Sequence, residues 1–259
     1  MGEEYILPII IKHGSKKSIP LMKSLWREVF GDDQAFIDCF FSNFYRPSRT
    51  LLAFEDGRLV SMMYYLDINA KYFKKKMKCA YLYGVATTMS ERRRGHFRRL
   101  HDTFLEEISA KKYDIAVVLP ENEGLYGLYK SFGYTMSLKR FAYKLFTQDL
   151  VKVENIEEVW NKKKEIYRDS SSGLHILETL PQFLESRRDH RFFSYGSSYF
   201  AFAPKNGSYE LYEVISPSGE SVPAEIVHYE RSALILDITG KLDPEQIEKQ
   251  KPEFNYLLN

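Results

Sequence analysis

Glu91-Arg92-Arg93-Arg94-Gly95-His96-Phe97-Arg98-Arg99 is the stretch on which the reading of this chain turns. Five arginines fall around one glycine, directly after a strand-like run, Ala80-Tyr81-Leu82-Tyr83-Gly84-Val85-Ala86-Thr87. Leu100, Phe104, Leu105 and Ile108 follow at helical spacing. A helix N-terminus carries partial positive charge and unpaired N–H groups, so arginines stacked there are unfavourable unless an anion sits on the turn. Strand, glycine-containing turn and helix start together make a cradle for a phosphate or pyrophosphate. The bland reading is a solvated helix start or an RNA contact.

Working outward, the apolar run Ile115–Leu119 reads as a buried strand, so a right-handed crossover sets it parallel to and near the strand ending at Thr87. Next come a loop, a short helix and a glycine stop at Gly133, from Pro120 to Tyr134. Upstream, Leu21, Leu25, Trp26 and Val29 form one amphipathic helix face. After the Gly31-Asp32-Asp33 break, Phe36, Ile37, Phe40 and Phe44 form another. Thr50–Phe54 and Leu59–Leu66 are strands joined by the hairpin signal Glu55-Asp56-Gly57-Arg58. Lys74-Lys75-Lys76 reads as a solvated hairpin tip.

Beyond about Val151 the pattern changes. Glu154–Tyr167 and Thr179–Arg191 read as helices, and Phe192–Tyr195, Tyr199–Ala203, Tyr209–Ile215, Glu225–Tyr229 and Ala233–Ile238 as short strands. The expected division is 1–148 and 149–259, both α+β.

At 259 residues the chain can bury a sizeable core. Its formal charge of +2 makes the basic cluster local, against the broad basic face that nucleic-acid binding prefers. Cys39 and Cys79 lack metal-ligand spacing, which fits a reduced, cytoplasmic setting. The acidic start has no signal-peptide pattern, and no apolar run reaches the roughly 18 residues of a membrane span. His96, His101 and His190 are dispersed, so no metal is expected.

Three co-ordered pieces resemble the GCN5-related N-acetyltransferase (GNAT) superfamily: Gly84-Val85-Ala86-Thr87, then Arg92-Arg93-Arg94-Gly95-His96-Phe97, then Asn122 followed by Tyr129 and Phe132-Gly133-Tyr134. The resemblance covers residues 50–145 and is strongest to the enhanced-intracellular-survival (Eis) branch. It implies an α+β acyl-CoA N-acyltransferase fold, a mixed central sheet flanked by helices, followed by a smaller, degenerate GNAT-like unit. Phe97 stands where many relatives carry a second small residue.

By the same resemblance the donor is acetyl-CoA and the acceptor a primary amine of a small molecule or peptide. Charge and hydropathy lead us to expect neither nucleic acid nor membrane as a partner, while by the resemblance a homo-oligomer is expected, as in Eis-like relatives. The pantetheine arm would pair with the backbone of Val85, Ala86 and Thr87. The pyrophosphate would lie on the turn from Arg92, Arg93 and Arg94 through Gly95, His96 and Phe97 to Arg98, with charge-assisted bonds from arginine side chains.

Tyr129 matches the residue that protonates the departing thiolate; the bland reading is a core tyrosine on an amphipathic helix. Asn122 would bond the pantetheine, or simply cap its helix. Tyr126 shares the face of Tyr129. The general base stays open among Tyr81 and Tyr83, Glu123, and the carboxylate of Asn259. A non-catalytic acyl-CoA-binding or regulatory protein on the same fold is the alternative, and the second domain is expected to supply part of the acceptor pocket.

Overall fold

A computed structural model describes residues 9–171, 173–217 and 220–250. The strands are β1 (Ile10–His13), β2 (Thr50–Glu55), β3 (Arg58–Tyr72), β4 (Lys75–Thr87), β5 (Ile115–Val118), β6 (Met136–Leu145), β7 (Val151–Val153), β8 (Leu174–Leu177), β9 (Arg191–Tyr195), β10 (Ser198–Lys205), β11 (Ser208–Ile215) and β12 (Ala224–Asp237). The helices are α1 (Ile19–Phe30), α2 (Gln34–Asn43), α3 (His96–Ala110), α4 (Glu123–Ser131), α5 (Ile156–Asp169), α6 (Leu180–Ser186) and α7 (Pro244–Gln250). The architecture is the expected α+β one with a mixed central sheet. Two compact units form: one from the residues up to Asp67 with Ala80–Val118, the other from Ile68–Cys79 with the residues after Val118.

The first unit holds a sheet in the order β1-β2-β3-β4-β5, so β5 lies beside β4. Asp56 and Gly57 both take positive φ (50° and 74°), the geometry of the tight hairpin between β2 and β3. Tyr64 and Tyr65, adjacent on β3, point to opposite faces. Tyr64 packs against Trp26 of α1 and Phe40 of α2, with ring centroids 5.7 and 5.2 Å away. Tyr65 packs against Phe104 of α3 at 5.4 Å. The sheet is therefore covered on both sides, which is why the buried run of β3 is nearly continuous instead of alternating.

Gly31 ends α1 in the left-handed region, and the Asp33 side chain accepts from the Phe36 amide to start α2. The inward face of α1 is Met22, Leu25 and Trp26, with Leu21 exposed. Leu21 belongs to the same hydrophobic run but sits one position too early for the stripe. Gly84 breaks the extended backbone of β4 with a φ of 56°. A Cβ there would come within 2.7 Å of the Tyr64 ring and 3.0 Å of the Trp26 indole. The irregularity in the middle of β4 thus exists because an indole packs directly on the strand.

The second unit contains the four-stranded antiparallel sheet β11-β10-β9-β7 and the long pair β12 and β6. Val159 of α5 and Phe183 of α6 pack on Phe192, Ala201 and Ile215 of the sheet. Here the periodicity misled in two places. The helix expected over 179–191 stops at Ser186, and the two strands expected over 225–238 are the single β12, with register shifts marking its bulges. Bulges break the period-2 pattern while the strand runs on. Short β1, β7 and β8 escaped notice because three or four residues carry too little periodicity.

Candidate active site

β4 delivers the chain to a tight turn. The Thr88 amide donates to the Val60 carbonyl at 3.0 Å, tying the turn to β3. The Met89 amide and the Thr88 hydroxyl both donate to the Glu28 carboxylate on α1. A 3-10 turn, Met89–Glu91, follows. Arg93 and Gly95 then adopt positive φ, 66° and 84°, folding the turn back so that α3 starts at His96. No side chain caps the N-terminus of α3, because its N-cap residue is Gly95. A Cβ on Gly95 would meet open space, so the glycine answers a backbone requirement and leaves the approach to the first amides clear.

The arginines divide into roles that sequence alone does not separate. Arg94, about half exposed, reaches over the turn and donates to the Glu55 carboxylate at 2.9 Å and to the Glu91 carboxylate. The Arg92 Nε donates to the Thr87 carbonyl at 3.2 Å. Arg93, Arg98 and Arg99 are exposed around the helix start. On β4, the carbonyl of Ala86 accepts from the Ser61 hydroxyl at 2.8 Å, and Ser61 and Thr87 share a second bond of 2.8 Å. Ala86 is buried, whereas Val85, Thr87 and Phe97 are partly exposed.

His96 is buried beside the inward carboxylates, its Nε2 3.7 Å from Glu55 and 3.9 Å from Glu91. Neither glutamate announced a role in the sequence: Glu55 reads as a turn residue and Glu91 as the edge of a basic run. The two are brought to His96 by separate elements, and only an expected burial of Glu55 at the end of β2 could have flagged it.

His101, one turn further along α3, is fully buried between the rings of Phe97 and Phe104, 5.6 and 5.8 Å away. Burial is the main cause of a pKa lowered to about 4, with Arg98 adding in the same direction and Asp102 opposing. The unfolded chain therefore takes up this proton first as pH falls. Stability should be fully present above pH ~6.5 and decline by up to ~3 kcal/mol as pH approaches ~4. Urea denaturation across that range should show a shallower decline for His101→Leu, and identical slopes would refute the assignment.

Asn122, Tyr129 and the Phe132-Gly133-Tyr134 ending belong to the second compact unit, whereas the arginine turn belongs to the first. Asn122 caps α4: its side-chain oxygen accepts from the Leu125 amide at 3.3 Å. Tyr129 is buried and packs edge-on against Tyr134, centroids 5.6 Å apart. Burial pushes its phenol well above the ordinary tyrosine value, so it holds its proton throughout the neutral range. Tyr126 is half-buried on the same helix and Glu123 exposed in its first turn. Tyr81 and Tyr83 are packed against one another, centroids 5.7 Å apart, and burial raises the Tyr83 phenol. The Asn259 carboxylate lies outside the described residues.

A sheet clad by helices on both faces, with a strand opening into an uncapped helix N-terminus across an arginine turn, defines the class of α+β acyltransferases. Residues 11–137 match the family model described as an acetyltransferase (GNAT) domain, so this part of the chain is a GNAT domain, of an enzyme class of N-acetyltransferases. Solved structures agree on the fold at low identity. A GCN5-related N-acetyltransferase from Kribbella flavida superposes with a TM-score of 0.70 at 11% identity, over 88% of this chain and 70% of that one. Eis1 from Mycobacterium abscessus superposes with 0.62 at 11% identity, over 89% and 74%. A GCN5-related N-acetyltransferase from Anabaena variabilis gives 0.62 at 9% identity, over 90% and 73%. No curated protein matches the sequence.

Proposed function

We propose that this enzyme moves an acetyl group from acetyl-CoA to a primary amine of a small molecule or peptide by direct transfer. The observation that carries the reading is the helix start at Gly95–His96. Its N-terminus has no side-chain cap, its glycine opens onto free space, and five exposed arginines surround it. Backbone amides and positive charge converging there suit the pyrophosphate of the donor. Val85, Ala86 and Thr87 present the strand along which the pantetheine would pair, and Asn122 would contribute a further bond to it.

In the reaction the neutral amine attacks the thioester carbonyl, the C–N bond forms and the C–S bond breaks. The departing sulfur takes the Tyr129 proton, and the proton lost by the amine passes to a base. Residues 149–259 are read as a degenerate GNAT-like unit, with the protein cytoplasmic and able to form homo-oligomers. Among the described residues no helix is long and apolar enough to cross a membrane.

Isothermal titration with acetyl-CoA tests the donor. Micromolar binding is expected for the native chain and loss of it for the doubly substituted Arg93→Glu/Arg98→Glu chain, whose changes fall on exposed side chains. No binding by the native chain would overturn the reading. Binding without acetyl transfer to any amine in a broad screen would leave a non-catalytic acyl-CoA-binding protein.

A further inference from the structure

Beneath the arginine turn, three buried groups from three separate elements face one another. Glu55 ends β2, Glu91 closes the 3-10 turn and His96 opens α3. One ligand atom from each lies within 4.8 Å of the others. The His96 side chain is 1% exposed, Glu55 8% and Glu91 9%. Neither ring nitrogen of His96 has a hydrogen-bond partner, and Oε2 of Glu55 has none. Leaving such groups unsatisfied in the interior costs about 1–3 kcal/mol each.

Arg94 does not resolve this. Its guanidinium holds Oε1 of Glu55 and Oε2 of Glu91 from the solvent side, about half exposed, and leaves the inward Oε2 of Glu55 facing His96. A protonated imidazole bonding the carboxylates directly would need donor–acceptor distances near 3 Å, against the 3.7 and 3.9 Å observed. A divalent transition-metal ion accounts for the spacing better. Bonds of about 2.1 Å in tetrahedral geometry set ligand atoms about 3.4 Å apart, so the two gaps to His96 close with shifts of a few tenths of an ångström, and the two carboxylate oxygens already lie within 4.8 Å of one another.

We propose that Glu55, Glu91 and His96 form a binding site for a divalent transition metal of the zinc type. Two carboxylate oxygens and one imidazole nitrogen are a donor set zinc accepts. The ion would pin the end of β2, the 3-10 turn and the first residue of α3 together, fixing the conformation of the turn from within. The expectation of no metal rested on the dispersal of histidines along the chain; the fold supplies the carboxylates that dispersal concealed. The site stands on its own geometry, whatever donor the turn receives.

The test uses the whole chain, stripped with a chelator and dialysed against Zn2+. One zinc per chain is expected, with a thermal midpoint that rises with zinc concentration. Glu55→Gln and His96→Gln should each weaken zinc binding by roughly 100-fold or more, since even outer-shell partners of a metal are worth ~10–100-fold. His13→Gln, on an exposed histidine paired with Glu107, should leave it unchanged. Should either variant fail to fold, the visible spectrum of the Co2+-loaded native chain decides, with tetrahedral bands expected. Absence of those bands, no retained zinc, or zinc retained equally by both variants would overturn the site.

Discussion

Tyr129→Phe is expected to lower kcat by ~10²-fold or more, the usual range for loss of a positioned general acid being ~10²–10⁴, while acetyl-CoA affinity stays as it is. The substitution removes one oxygen and keeps the ring that packs against Tyr134, so the fold should be intact. The elevated phenol pKa has a further consequence. The group stays protonated through neutral and mildly alkaline pH, so the native alkaline limb of kcat should not contain its ionisation. Steady-state kinetics with acetyl-CoA and any accepted amine provide the measurement. An unchanged kcat would assign Tyr129 to the core, a role its burial on an amphipathic helix fits equally well.

The second large effect concerns stability. Arg187 is fully buried in the second unit, its guanidinium 2.7 Å from both Glu178 and Glu213 and its Cζ 4.5 Å from the centroid of the Phe183 ring. Lys163 completes the cluster, 3.0 Å from Glu178 and 2.7 Å from Glu213. Burial alone would raise the Glu213 carboxyl, but the charges of Arg187 and Lys163 outweigh it and hold it at about 2.

Arg187→Ala leaves two buried carboxylates sharing one lysine and should cost about 3–5 kcal/mol. The cluster's contribution is present above the ordinary carboxyl range and is lost as pH falls through about 2. Thermal and urea denaturation followed by circular dichroism would check this. A loss under ~1 kcal/mol, the size typical of exposed pairs, would mean the cluster is far better hydrated than its burial indicates.

Much of the first unit was legible from local chemistry. Gly31 and Asp33 separate two helices, and Asp56-Gly57 makes a hairpin. Each is a short-range signal whose physics needs no distant partner. The second unit was harder to read. Register shifts within β12 imitate strand ends, and α6 carries a helical start, with Pro181 in its first turn, but ends within two turns.

The sequence by itself determined the class of this protein. A strand, an arginine turn around Gly95 and a helix at the right spacings place backbone amides and positive charge where an anion can sit. That arrangement is local and needs few residues. Tertiary structure decided which arginine is tied to a carboxylate pair, because the answer depends on Glu55, whose side chain meets Arg94 only after β2 and the turn are packed together. It also decided that His96 turns inward to two carboxylates. Charge and periodicity along a chain say which residues are near in sequence; burial, which sets the cost of every unpaired polar group, exists only once the chain has closed on itself.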